Sequence, residues 1–336
     1  MMVTHFDLER RASAGEAGAQ FTLGADLLAR ADSFDMFARG AALVAAAARN
    51  GHAEAMFTLA TLEAVGAGRP RNWVRAFDRL ERAAELGSAE AGEQLRLLSS
   101  TGSAPIAAAA DDKAMAWSSL RERISAEKLL QVPHPLALSE QPRLRVFERF
   151  AHPAECEWLI SRMRPKLGPA LVWDEASGSG KIDPVRSNSA VEVSISETDV
   201  VLALLRARIS AAMRLPEFIF EVPQVMHYKV GQEFRTHHDY LDPQAPGPAA
   251  DIARRGQRMG TFLIFLNEDF DGGETEFPKA GISYRGRTGD ALFFANITPD
   301  GRPDPMSVHA GRPPTRGEKW IFSQWIRDRA PAGVAR

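Results

Sequence analysis

"PQVMHYKVGQEFRTHHDYLDP" (residues 223–243) reads as a strand, a turn at Gly231, and a second strand whose end carries two histidines and an aspartate. Side chains in a strand alternate between faces. His237 and Asp239 therefore project to one side and His238 to the other. The first two could share a metal ion that His238 could not readily join. Alone, the pair is weak evidence. With eight histidines in the chain, an aspartate two positions on arises by accident roughly four times in ten.

Working outward, "SVHAGRPPTRGEKWIFSQWI" (307–326) adds an isolated histidine, His309, just after the turn-rich "NITPDGRPDP". Two histidines and one carboxylate occupy three positions of an octahedron. Three are left for a bidentate co-substrate and dioxygen, the layout of non-haem Fe(II) oxygenases. A zinc hydrolase needs no such co-substrate and more typically brings a glutamate base. Lys319 opens the strand "EKWIFSQWI", on which Lys319, Ile321, Ser323 and Trp325 share one face. A lone lysine in a strand of Trp, Ile and Phe needs an anion if it is buried.

These residues carry a resemblance. "YKVGQEFRTHHDY" is similar to the prolyl 4-hydroxylase signature Tyr-x-x-Gly-Gln-x-(Tyr/Phe)-x-x-His-x-Asp-Tyr. "QRMGTFLIFLNEDFDGGETEFP" resembles that family's central strand pair, and "PDGRPDPMSVHAGRPPTRGEKWIFSQWI" its last block. The blocks keep family order from about 225 to 326, and "RVFERFAHPAECEWLI" extends the likeness weakly back to about 140. The resemblance implies a 2-oxoglutarate/Fe(II)-dependent dioxygenase. In it, His237, Asp239 and His309 ligate and work through Fe(II), and Lys319 pairs with the distal carboxylate of 2-oxoglutarate. Tyr228 and Thr275 hydrogen-bond that carboxylate, Trp325 lines the pocket, and Arg258 faces the substrate. Glu274 is assigned to structure. O2 is the second co-substrate and L-ascorbate the reductant. The implied reaction is hydroxylation of an unactivated C–H bond with release of succinate and CO2.

Two departures fall where substrate is gripped. Phe234 stands where the family often has tyrosine, and the family's Arg-Thr-Ser stretch becomes "RSNSA" (186–190). A peptidyl proline in a protein is the favoured substrate. Another side chain, a free amino acid or a peptide natural product stays open, as does a catalytically dead repeat scaffold. "LDPQAPGPAADIARRGQ" (241–257), Pro/Gly/Ala-rich and next to the metal strand, reads as a lid.

The N-terminal part repeats. "GEAGAQFTL" from Gly15, "GHAEAMFTL" from Gly51 and "GSAEAGEQL" from Gly87 are spaced by one fixed period. That period signals stacked helical pairs, and the pattern resembles Sel1-like, tetratricopeptide-related repeats. "VGAGRPRN" (65–72) reads as a turn between helices, and the third copy fades after Leu98. "SSTGSAPIAAAADD" (99–112) reads as a linker. "DDKAMAWSSLRERISAEKLLQ" (111–131) reads as a helix capped by acidic residues.

The expected fold is an α-helical repeat domain over 1–100, a linker and helix over 101–139, and an α+β domain over 140–329. The last would have a double-stranded β-helix (jelly-roll) core, with its most specific part at 221–327. The repeats could recruit a protein or peptide substrate. A net charge of −2 gives no argument for nucleic acid or an anionic membrane surface. The single cysteine, Cys156, excludes an intramolecular disulfide and suits a cytoplasmic location. No apolar core follows the first charges, so no signal peptide is expected. No stretch reaches the ~20 apolar residues of a membrane span. Nothing in the sequence sets an oligomeric state.

Overall fold

Gly15, Gly51 and Gly87 all take left-handed backbone conformations, with φ of 87°, 80° and 98°. Each follows a helix and precedes the next, a place where a side chain would be strained. The repeat period is thus a period of helix-ending turns. A computed structural model describes residues 5–68, 70–101, 116–174, 179–181, 183, 185–194 and 197–330. The helices are α1 (His5–Ser13), α2 (Ala17–Ala29), α3 (Phe34–Arg49), α4 (Ala53–Val65), α5 (Trp73–Glu85), α6 (Ala89–Thr101), α7 (Trp117–Glu122) and α8 (Ala126–Leu129). From α1 to α7, each packs on the next. Small residues set the closest approach. A Cβ on Gly24 of α2 would lie 3.0 Å from the carbonyl oxygen of Gly40 on α3. The turn at 65–72 is as expected: Gly66 ends α4 at φ 72° and Asn72 caps α5.

Two expectations need correction. The linker's first residues, 99–101, belong to α6, and 102–112 lie outside the described residues. The single helix over 111–131 is two short ones. The Ser125 hydroxyl accepts from Lys128 N, so it caps a new start and breaks the run. The acidic cap lies outside the described residues.

The chain divides into two compact units, 1–131 with 195–208, and 132–194 with 209–336. In chain order the remaining elements begin with β1 (Leu136–Glu140), β2 (Arg143–Phe147), α9 (Pro153–Met163), β3 (Gly168–Pro169), β4 (Val172–Asp174), β5 (Ser179–Lys181) and β6 (Ser189–Glu192). Then come α10 (Val200–Met213), β7 (Gln224–Tyr228), β8 (Phe234–His237), α11 (Pro246–Arg255), β9 (Arg258–Phe265), β10 (Phe270–Gly272) and β11 (Thr275–Phe277). Last are β12 (Ile282–Tyr284), β13 (Ala291–Ala295), β14 (His309–Gly311), β15 (Pro314–Gly317) and β16 (Lys319–Arg327).

Among the described residues, an eight-stranded sheet runs β1-β2-β13-β9-β16-β7-β6-β3, and a four-stranded sheet runs β12-β11-β14-β8. Phe277 from the smaller sheet meets Leu263, Phe265, Leu292, Phe294 and Ile321 from the larger in one buried cluster. Two sheets closing an apolar core between them is the jelly-roll architecture. Phe293, Phe294 and Trp320 are buried framework, as their strand positions imply.

Two further elements depart from expectation. The first strand, β1, was not read from the sequence; it pairs with β2 at the edge of the large sheet. The segment 241–257 is not a plain loop, because it contains α11. Pro246 occupies the first helical turn, where a missing N–H costs nothing and the fixed φ is helical already. No described helix is long and apolar enough to cross a membrane.

Candidate active site

β8 ends at His237, and β14 begins at His309, its partner in register. Asp239 follows two residues after the strand. The three offer ligand atoms that all lie within 4.8 Å of one another. His237 Nδ1 lies 2.7 Å from the Arg235 carbonyl, and His309 Nδ1 lies 3.0 Å from the Ser307 carbonyl. A carbonyl only accepts, so each Nδ1 carries a proton, and in the neutral ring the Nε2 is left with the lone pair. Those Nε2 atoms sit 3.6 and 3.7 Å from the two Asp239 oxygens. His238 stands apart, its ring stacked on Tyr240 at 4.5 Å.

Asp239 has a support the sequence reading missed. Asn296 Nδ2 donates to Thr261 Oγ1 at 2.9 Å, and Thr261 Oγ1 donates to Asp239 Oδ2 at 2.7 Å. All three residues are buried. The available signal was Thr261 itself, a lone hydroxyl inside "GTFLIFL". Burial pushes the Asp239 carboxyl up, but His309, His237 and Thr261 together more than offset it, so it stays ionised. Burial, with His237 adding to it, takes His309 down to about 4, leaving a neutral imidazole. Two imidazoles with Nε2 directed inward, beside one carboxylate, make a donor set suited to a divalent first-row metal.

A pocket opens from this centre between the sheets. Lys319, Ile321, Ser323 and Trp325 line it from alternate positions of β16, with Tyr228 beside Lys319 on the neighbouring β7 and Thr275 from the smaller sheet. Lys319 is 2% exposed. Among the described residues its ammonium makes no ion pair or hydrogen bond, and the ring faces of Tyr228, at 5.2 Å, and Phe265, at 5.9 Å, lie against it. Burial drives its pKa to about 7, partly countered by the charge of Glu274. Burial likewise pushes the Tyr228 phenol up to about 12, so it remains a neutral donor. The Thr275 side chain is buried at the pocket wall.

Arg258 is brought to the same region but held by protein groups. Its guanidinium lies 3.8 Å over the Trp325 ring and makes paired bonds of 2.6 and 2.9 Å to Glu221. Phe234 stacks on His237 with centroids 3.5 Å apart. Buried Arg186, first residue of "RSNSA", lies over the Phe234 ring at 4.8 Å and donates to Gln224 Oε1 at 3.0 Å. Arg186 lies in the stretch that the sequence places where substrate is gripped, whereas no local pattern marks Glu221, whose partners Arg258 and Arg327 are distant in sequence.

The profile of the 2OG-Fe(II) oxygenase superfamily matches residues 223–327. Prolyl 4-hydroxylase 1 of Arabidopsis thaliana is 33% identical over 210 residues, covering 58% of this chain and 72% of that protein. The chain belongs to the prolyl 4-hydroxylase family. Prolyl 4-hydroxylase 5 of the same plant is 34% identical over 208 residues, covering 56% of this chain and 69% of its own. Among solved structures, the viral collagen prolyl hydroxylase of Paramecium Bursaria Chlorella virus-1, in its 2OG complex, aligns at TM-score 0.42 with 26% identity. It covers 55% of this chain and 95% of its own. A Sel1 repeat protein from Oxalobacter formigenes aligns at TM-score 0.27 with 27% identity, over 29% of this chain and 73% of its own. Membership makes the chain a 2-oxoglutarate-dependent dioxygenase and implies Fe(II), 2-oxoglutarate and O2. The inward Nε2 pair, the ionised Asp239 and the buried cation of Lys319 fit that set.

Proposed function

We propose that the chain hydroxylates a prolyl residue in a peptide or protein and converts 2-oxoglutarate and O2 to succinate and CO2. The observation that carries the reading is a buried lysine without an anion, facing the same pocket as two inward imidazole Nε2 atoms and a carboxylate. In this reading His237, Asp239 and His309 hold Fe(II). When bound, the iron supplies oxidative decarboxylation of the co-substrate and oxidation of a C–H bond.

The protein's own residues do the positioning. Lys319 neutralises the far carboxylate of 2-oxoglutarate, while the Tyr228 phenol and the Thr275 hydroxyl donate to it. The length of the pocket then sets the other end of the co-substrate against the metal ligands. Asn296 and Thr261 hold Asp239 so that its orientation survives each turnover. Ile321, Leu263 and Met226 line the same pocket with apolar surface that excludes water. Arg258 on Trp325 forms the edge that the substrate meets, and L-ascorbate is the proposed reductant.

Proline is favoured because both plant relatives are named prolyl 4-hydroxylases. The division that goes with this function is 1–100 repeats, 101–139 connection and 140–329 oxygenase. The repeat surface, where Phe34 is 71% and Val74 60% exposed, would hold a protein client and raise its local concentration. A reducing, cytoplasmic setting suits the single, buried Cys156. The test is mass spectrometry of lysate proteins and proline-containing peptides after treatment with the enzyme, Fe(II) and 2-oxoglutarate. Proline is expected to gain one oxygen atom. Gain only on Asn, Asp, Arg, Lys or a free amino acid would keep the oxygenase and discard the prolyl substrate.

A further inference from the structure

We infer that Glu221 and Arg327 are positioning residues: they hold Arg258 flat on Trp325 and tie segment 241–257 to the wall of the pocket. The inference deepens the proposed reading and rests on it for the role of Trp325. Arg327 is 3% exposed and faces Arg258 across the β9–β16 pair. It reaches three separate places. Its Nε lies 2.6 Å from Glu221 Oε1, its Nη2 donates to Asp251 of α11 at 2.8 Å, and its Nη1 donates to the carbonyl of Gly256 at 2.5 Å. Glu221 in turn takes both bonds from Arg258, and its backbone N–H donates to the Trp325 carbonyl at 3.0 Å.

The segment is also closed at its base. The Gln257 side-chain amide accepts from Leu241 N and donates to Leu241 O, both at 2.7 Å. Leu241 comes two residues after Asp239. A rotation of α11 therefore pulls on Arg327, hence on Glu221, and so on the cation that sets the Trp325 ring. A planar guanidinium with several fixed donors suits such a junction, whereas a lysine at 327 would satisfy fewer of the three partners. Because Glu221 already satisfies Arg258, the arginine acts on substrate through the ring it covers and not through a free charge.

The test labels the protein with 5-fluorotryptophan. Trp325→Phe assigns one of the six tryptophan resonances. In metal-free protein, Glu221→Gln and Arg327→Met should each move the Trp325 resonance and speed amide exchange across 246–255. In the loaded enzyme the same changes should raise the KM for a proline-containing peptide about tenfold with kcat little changed, the mark of lost binding and not lost chemistry. Arg327→Lys should recover part of both effects and, if Arg327→Met fails to fold, takes its place. Glu140→Gln, which breaks the exposed pair with Arg145, should change nothing. An unmoved Trp325 resonance, or unchanged exchange in α11, overturns the inference whatever the kinetics. A wild-type protein that consumes no 2-oxoglutarate overturns the oxygenase reading instead.

Discussion

Lys319 is a cation buried without an anion, and that has consequences before any substrate arrives. Its folded pKa, about 7, lies below the ~10.4 of an unfolded lysine. Between those values the unfolded chain binds more protons, so stability of the ligand-free protein should rise as pH rises through that window. Lys319→Met should remove the slope and raise the melting temperature by about 2–4 °C for each kcal/mol gained, while abolishing 2-oxoglutarate binding. Thermal scans from pH 7 to 10 check the first part, and a flat wild-type profile would contradict it. A bound dicarboxylate raises the lysine's pKa, so binding above pH 7 should take up a proton. Affinity should then fall by up to about tenfold per pH unit. Calorimetry with Mn(II) in buffers of different ionisation enthalpy would show this, and absence of proton uptake would place the counter-charge elsewhere. Of the residues proposed to hold the metal, His237→Ala, Asp239→Ala and His309→Ala should each lose iron, whereas His238→Ala should retain it. Thr261→Val should weaken iron binding by about 10–100-fold, measured by competition with a chelator. His237, His309 and Lys319 were legible because each is chemically out of place in its own strand, and Asp239 because it stands two positions from His237. The support for Asp239 was not, because its donors come from 22 and then 35 positions away.

At the scale of elements, the strands of the sheet core were readable from apolar runs broken by glycine, and α11 was not. Its composition, Pro-Gly-Pro-Ala-Ala, is that of a loop. What makes it a helix is placement: proline in the first turn, basic Arg254 and Arg255 in the last, and Arg327 gripping Asp251. The proline and the arginines are local signals, but the Arg327 contact is tertiary, and local pattern does not carry it. The turn into β13 offers a sharper test. Gly289 has φ 85°, and a Cβ there would lie 2.1 Å from the Ala151 carbonyl oxygen. The backbone conformation and the clash act together, so Gly289→Ala should destabilise the fold by about 2 kcal/mol or more. Chemical denaturation would measure it. A loss below about 0.5 kcal/mol would mean that the turn can shift away from Ala151.

For the whole molecule, the proposed recruitment by the repeats gives a prediction that needs no truncation. Phe34→Ser with Val74→Ser, both at exposed positions, should slow hydroxylation of an intact protein client and leave a short peptide unaffected. Equal loss on both would make the repeats a support for the fold. The repeat period was visible because identical turns recur in one stretch of chain. The membership of 195–208 in the first unit was not, because an apolar helix does not announce which core it enters. Val200, Val201, Leu202, Leu204 and Leu205 are each no more than 1% exposed. Interleaving of this kind reaches back to the ribosome. The first unit spans 1–131 and 195–208, so its last segment is still unsynthesised when residue 131 emerges. At 5–20 residues per second its last piece follows roughly 4–15 s later, after β1 to β6 have already left the tunnel. Residues 195–208 thus reach a unit whose helices α1 to α7, each packed on the next, have had those seconds to assemble.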